Sequence, residues 1–154
     1  MDIALKTIRL CLGILLALTA DISIAQTVDM YDFGMRTAMA VRTAIWADYY
    51  NKQCKGESIP IYQNATDAML RRIDNRSVVK VLANASKELG ASPDQLVAMT
   101  KKQFADRLIE LGGCKSRKGR EEGEGIQLAN IEANKYLLSV ALLWQQSKGR
   151  NIFR

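Results

Sequence analysis

Two cysteines beside cations are the residues of this sequence with the clearest chemical potential. Cys54 precedes Lys55, and Cys114 precedes a basic run. The cations of that run are Lys115, Arg117, Lys118 and Arg120. Nearby cations lower the pKa of a thiol, so one interpretation is a reactive Cys114. The other is a disulfide between the two cysteines, and the choice depends on the compartment.

The chain contains no histidine, which excludes several catalytic classes. Histidine is the usual general base of hydrolase triads and a common zinc ligand. No phosphate-binding loop or dinucleotide glycine pattern is present either. A single glutamate with a raised pKa could still cleave a glycan, and Glu88, Glu110 and Glu132 are candidates because they lie on predicted helices. We predict no metal, no cofactor and, with that one alternative kept open, no catalysis.

The N-terminus has the pattern of a secretory signal peptide. MDIALKTIR carries two cations, the apolar run LCLGILLALTA follows, and DISIA ends in a small-x-small cleavage site. The apolar run is shorter than the roughly 20 residues that span a bilayer. We therefore predict a signal peptide over 1–25 and one exported domain over 26–154, located in the periplasm or outside the cell.

Export would decide the role of the two thiols. Cys11 would leave with the signal, and the remaining even pair would meet an oxidising compartment. We therefore predict a disulfide between Cys54 and Cys114. The net charge of +6 would be kept, because the removed segment holds two cations and two anions. That charge favours anionic partners, and the basic run after Cys114 is a candidate anion contact.

The sequence pattern is helical almost throughout, so helices must position the cysteines and the basic run. Five helices are predicted, over residues 28–53, 60–75, 77–89, 93–111 and 126–148. The fourth has the clearest start, with Ser92 as N-cap, Pro93 as first helical residue and Gln95 completing a capping box. Residues 115–125 mix glycine with both charges, which predicts a solvated loop. The predicted fold class is an all-α, single-domain bundle of about five helices with one disulfide.

Aromatic residues near the end of the first helix are a further candidate site. An apolar stripe is expected to face the core, and it comprises Tyr31, Met35, Ala38, Ile45 and Tyr49. Trp46, Tyr49 and Tyr50 lie close to Cys54 in sequence. With Phe104 of the fourth helix they would either line an apolar binding site or fill the core.

Three functions remain compatible with these patterns. The first is a non-catalytic binding protein, an adaptor or chaperone-like accessory of an envelope protein, which requires an exposed apolar patch of several hundred Å². The second is a carrier of a small apolar ligand near Trp46, Tyr49 and Phe104, which requires a pocket of at least about 300 Å³. The third is the glycan-cleaving enzyme. In general outline, a small exported helical chain with one disulfide is similar to periplasmic acid-stress chaperones and secretion pilotins, but no family motif is recognised.

Other partners and modifications are less favoured by the sequence. The basic run has no interleaved aromatic residue on which bases could stack, so no nucleic-acid partner is expected. Three Asn-X-Ser/Thr sequons begin at Asn64, Asn75 and Asn84. The alanine-rich signal and the lone cysteine pair are typical of a bacterial periplasm, where we expect these asparagines to stay unmodified.

Overall fold

A computed structural model describes residues 27–148 and 150–154, and most of them are helical. The five helices are α1 (Met30–Tyr50), α2 (Ile61–Arg71), α3 (Val78–Leu89), α4 (Pro93–Glu110) and α5 (Arg117–Gln146). One π-helical turn, Asn51–Lys55, extends α1. The prediction of an all-α fold with five helices is confirmed for this part of the chain. The predicted signal peptide lies outside the described residues.

The helix ends follow from local capping chemistry. The side-chain oxygen of Ser92 accepts a hydrogen bond from the backbone N–H of Gln95, and the side-chain oxygen of Gln95 accepts one from the backbone N–H of Ser92, so the predicted capping box is confirmed. Asp29, and not an earlier residue, caps α1 through the backbone N–H of Asp32 at 2.7 Å. Gly90 ends α3 in the left-handed conformation that glycine adopts without strain. These caps set the bounds of the elements.

The two long helices, α1 and α5, pack along each other, and α2 packs against both. The main core between them comprises Phe33, Val41, Ile45, Leu70, Ile73, Leu137 and Val140. A second core lies towards the other end of α1, where α4 also packs, and comprises Ala47, Tyr50, Phe104, Leu108 and Ile126. The disulfide between Cys54 and Cys114 confirms that prediction, and it joins the end of α1 to the end of α4, with the two Cα atoms 5.3 Å apart.

A buried amide network connects α1, α2 and α5. The side-chain nitrogen of Asn130, which is fully buried, lies 2.8 Å from the carbonyl oxygen of Ala40, 3.1 Å from the hydroxyl of Thr43 and 3.3 Å from that of Thr66. Asn134 donates to the side-chain oxygen of Asn130 at 2.9 Å. Buried polar groups that find partners only in one arrangement specify that arrangement. The network therefore fixes which face of α1 meets α5.

That face differs from the one expected from the sequence. Tyr31 is 78% exposed and Met35 is 57% exposed, although both were predicted to be buried. The buried face instead includes Ala40 and Ala44, which are completely buried. Small side chains let two helix backbones approach closely, and this approach brings Asn130 to the α1 backbone. The prediction of the stripe is therefore wrong for the N-terminal half of α1, and an apolar face stays uncovered there.

The predicted loop over 115–125 is also wrong, because α5 begins at Arg117. Its glycines are needed for packing. A Cβ on Gly119 would overlap the carbonyl oxygen of Gly113, and one on Gly123 would overlap the ring of Tyr50. Glycine in the first turns of α5 therefore lets this helix lie directly against the end of α4 and the second core. The charged side chains between the glycines remain on the solvent side.

Two carboxylates cap the helices that follow them. Asp48 of α1 is buried and accepts hydrogen bonds from the backbone N–H groups of Tyr62 and Gln63 at 3.1 and 2.9 Å, at the start of α2. Asp67 of α2 accepts one from the N–H of Val78 at 2.9 Å, at the start of α3. A carboxylate at a helix N-terminus compensates the unpaired N–H groups and the positive end of the helix dipole. Helices α1 and α2 thereby fix the starts of α2 and α3.

The cap at Asp67 predicts a pH dependence of stability. Partial burial raises the pKa of this carboxyl, but the hydrogen bonds from Arg71 and Val78 and the charge of Arg71 outweigh burial and lower it overall. A carboxyl whose folded pKa is depressed stabilises the fold above its unfolded pKa of about 3.9, and this contribution is lost as the pH falls through the folded value.

We expect Asp67→Asn to lower the melting temperature at pH 7, and the gap from wild type to shrink below about pH 4. Melting curves followed by circular dichroism from pH 7 to pH 2 measure both effects. A gap that stays constant over this range would show that the charge of Asp67 contributes nothing.

Candidate functional site

An open groove of about 600 Å³ lies between the N-terminal half of α1 and helix α3. Its α1 side is formed by Met30, Tyr31, Phe33, Gly34, Met35, Thr37 and Ala38. The α3 side is formed by Lys80, Val81, Asn84, Ala85 and Glu88. Arg76, in the connection between α2 and α3, completes the lining. A Cβ on Gly34 would meet nothing within 4 Å, so this part of the groove is open down to the helix backbone.

The uncovered apolar face of α1 extends beyond the groove. Met30 in the groove is 46% exposed, and Met39 outside it is 50% exposed. With Tyr31 and Met35 they form what we call the methionine stripe. A second, smaller depression of about 240 Å³ continues it and is lined by Met35, Arg36, Ala38, Met39 and Arg42. At 1.5 Å per residue, the surface from Met30 to Arg42 is about 18 Å long.

A turn of unusual backbone conformation places Arg76 at the groove. Asp74 and Asn75 both adopt positive φ angles, of 51° and 53°, which these two residue types tolerate better than most. The guanidinium of Arg76 lies 4.6 Å from the ring centre of Phe33 and 5.1 Å from that of Phe153. Burial lowers the pKa of Arg76, while the charge of Asp74 opposes that change. Arginine nevertheless stays protonated at neutral pH.

The C-terminal residues hold Phe153 in this position. The N–H of Val28 donates to the carbonyl of Ile152 at 2.7 Å, and the N–H of Arg154 donates to the carbonyl of Val28 at 3.1 Å. Ile152 is buried, and the ring of Phe153 lies 5.1 Å from that of Phe33 and 6.0 Å from that of Trp144. The C-terminal residues Ile152 and Phe153 therefore pack as part of the fold behind Arg76.

The aromatic residues singled out in the sequence do come together, but as packed core. The ring of Phe104 lies 5.7 Å from Trp46, 6.2 Å from Tyr49 and 6.4 Å from Tyr50. The indole nitrogen of Trp46 donates to the carbonyl of Thr100 at 2.7 Å. Phe104 and Tyr50 are buried, and Tyr49 is partly exposed at an open depression of about 340 Å³, whose lining also includes the polar residues Asp48 and Lys52. These side chains fill the space between α1 and α4 themselves.

The four cations after Cys114 are exposed at the start of α5. Arg117 pairs with Glu121 at 3.0 Å, and Arg120 donates to the carbonyl of Lys115. Lys118 lies with Glu121 and Glu122 at a shallow surface depression. Anions therefore accompany the cations along the same helix turns. This mixture of charges is typical of a solvated helix surface.

The three candidate glutamates lie on different helices and are all exposed. Glu110 lies 3.4 Å from Arg107, and Glu132 lies 2.6 Å from Lys135. Glu88 lies on the rim of the groove. The glycan-cleaving alternative needs only one of them, in a cleft that shields its carboxyl from water, and all three side chains are exposed.

Comparison with protein-family models, with curated proteins and with solved structures finds no match for this chain. None of the helices in the described ranges is both long and apolar enough to cross a membrane. Within the same residues, no three His, Cys, Asp or Glu side chains lie together as metal ligands would.

Proposed function

We propose that this protein is an exported, non-catalytic binding protein that accommodates an amphipathic helix of a partner protein in the groove between α1 and α3. The observation that carries the proposal is the exposed methionine stripe. A contiguous apolar surface of this kind commonly marks an interaction site. Methionine side chains are flexible and polarisable, so they adapt to different apolar partners.

The shape of the surface favours a helix as the ligand. The groove and the smaller depression together extend about 18 Å along α1, which matches about three turns of helix. A docked helix would present apolar residues at i, i+3 or i+4 and i+7 to the stripe. A small apolar ligand prefers an enclosed pocket, and the aromatic cluster around Phe104 is filled by its own side chains. These features favour protein binding over the carrier function.

The proposed setting is the periplasm or the cell exterior, and the partner is an envelope protein. The disulfide supports this setting, because such bonds form and persist in oxidising compartments. In that setting the protein would act as an adaptor or as a chaperone-like accessory. An exposed, adaptable apolar groove is suited to holding a segment of another chain.

The variant Gly34→Leu tests the proposal by filling the groove. We expect it to fold as well as wild type, because its Cβ meets open space and leucine forms helix more readily than glycine. Gly125→Leu is the matched control, since Gly125 is another helical glycine whose Cβ would meet nothing within 4 Å. Helical peptides are selected by phage display on the wild-type protein, and their affinities are then measured by fluorescence anisotropy.

We expect the selected peptides to be amphipathic and to bind Gly34→Leu at least about tenfold more weakly than wild type, a loss of about 1.4 kcal/mol. Binding to Gly125→Leu should equal that of wild type. The proposal is wrong if no helix is enriched, or if the selected helices bind Gly34→Leu as tightly as wild type.

A further inference from the structure

We propose that Arg76 is the specificity-determining residue of the groove and that it pairs with a carboxylate of the docked helix. This inference rests on the proposed function, and it adds the chemistry of the partner. The partner helix would carry an aspartate or glutamate beside its apolar face, at the position that meets Arg76.

The surroundings of Arg76 prepare it for such a pair. Phe33 and Phe153 lie against the guanidinium, which leaves the N–H groups at its edges free to donate. No carboxylate of the described residues lies within ion-pair distance of Arg76. By contrast, Arg36, Arg71 and Arg117 each pair with a carboxylate on the adjacent helix turn. An arginine fixed by stacking loses little side-chain entropy when a carboxylate arrives.

The charges around the methionine stripe are complementary to an acidic helix. Lys80 lines the groove with Arg76, and Arg42 lies at the far end of the smaller depression. Glu88 is the single acidic residue among the described residues that line these two surfaces. Arg36 also lies there, but its charge is balanced by Asp32 at 2.9 Å. The net positive rim would repel a basic amphipathic helix and attract an acidic one.

A double-mutant cycle tests the pairing. The probe is the tightest peptide from the phage selection, labelled with fluorescein, and a second version replaces its acidic residue by the corresponding amide. Both are titrated against wild type, Arg76→Met and Lys80→Met. Methionine keeps an apolar side chain against Phe33 and Phe153 and removes the charge. Lys80→Met is the matched control, since it removes an exposed cation from the same groove.

We expect the amide version of the peptide to bind wild type about tenfold more weakly than the acidic version does. Arg76→Met should weaken binding of the acidic peptide by the same factor. Against Arg76→Met, the acidic and amide peptides should then bind with equal affinity. Lys80→Met should cost at most about fivefold, because exposed ion pairs contribute little. A melting curve checks that Arg76→Met is folded, and Arg76→Lys, which keeps the charge without the planar fork, should bind with intermediate affinity.

The two proposals fail in different ways. The proposal for Arg76 is wrong if the selected helices lack an acidic residue. It is also wrong if the amide substitution weakens the affinity for wild type and for Arg76→Met by the same factor. In both cases the groove remains the binding site. If binding does not depend on Gly34, the groove is not the site and both proposals are wrong.

Discussion

Breaking the disulfide between Cys54 and Cys114 is expected to lower the free energy of unfolding by about 4 kcal/mol. The bond joins residues that are 60 positions apart in sequence, and a crosslink of that span removes much of the entropy of the unfolded chain. It also holds the end of α1 against the end of α4, beside the second core. A domain of this size has a total stability of about 5–15 kcal/mol, so the loss would be a large fraction of it.

Urea unfolding with and without reductant measures this effect. The double variant Cys54→Ser/Cys114→Ser should be destabilised by a similar amount, and reductant should not change it further. A shift below about 1 kcal/mol would mean that the ends of α1 and α4 are held mainly by packing around Phe104.

Gly123→Ala is expected to destabilise the fold by about 2–3 kcal/mol, because overpacking a tight core contact forces neighbouring atoms to move. The Cβ would overlap the ring of Tyr50, which is 3% exposed and surrounded by the second core. Gly125→Ala, two residues further along α5, should instead stabilise the protein by about 0.5–1 kcal/mol, because its Cβ meets open space and alanine favours helix.

Chemical denaturation of both variants measures whether the free energy of unfolding falls in Gly123→Ala and rises in Gly125→Ala. The same measurement tests whether residues 117–125 are helical in solution. In a solvated loop, both alanines would change the stability by about 0.5 kcal/mol or less, as surface substitutions usually do. A destabilised Gly123→Ala beside a stabilised Gly125→Ala would support the start of α5 at Arg117.

The features that the sequence predicts well are those set by neighbouring residues. Ser92 and Gln95 form the predicted capping box, because the hydrogen bonds of a cap join groups only three residues apart. Gly90 ends α3 in the left-handed conformation, with a φ angle of 66° that glycine adopts without strain. The disulfide was predicted by counting the cysteines that would remain after the proposed export.

The features that the sequence did not predict depend on distant partners. The mixture of glycines and charged residues in 115–125 is typical of a loop. Nothing in the neighbouring sequence indicates that Gly123 lies against Tyr50. Helix α1 has apolar residues on two faces, and periodicity alone does not say which face meets α5. Met35 and Met39, one helical turn apart, were the available signal, since methionine is over-represented at adaptable binding surfaces.

Arg76 gave no signal in the sequence. Its neighbours in the structure, Phe33 and Phe153, lie near opposite ends of the described chain, and the turn through Asp74 and Asn75 brings the three residues together. A single arginine between a turn and a helix N-cap has no local pattern that distinguishes it from a solvated cation. Only its aromatic surroundings suggest a recognition role.

Site-specific photocrosslinking in the native host tests the central claim, that the groove between α1 and α3 binds a helix of a partner protein. A benzophenone amino acid is placed at Met35 in the stripe and, in a separate variant, at Leu142, an exposed apolar residue of α5. Mass spectrometry then identifies the peptide that is crosslinked at each position.

We expect the Met35 probe to crosslink one partner through a segment with amphipathic helical spacing and an acidic residue, and Gly34→Leu to reduce the yield of that adduct strongly. Crosslinks at Leu142 alone, no crosslink at Met35, or a Met35 crosslink of undiminished yield in Gly34→Leu would each contradict the claim.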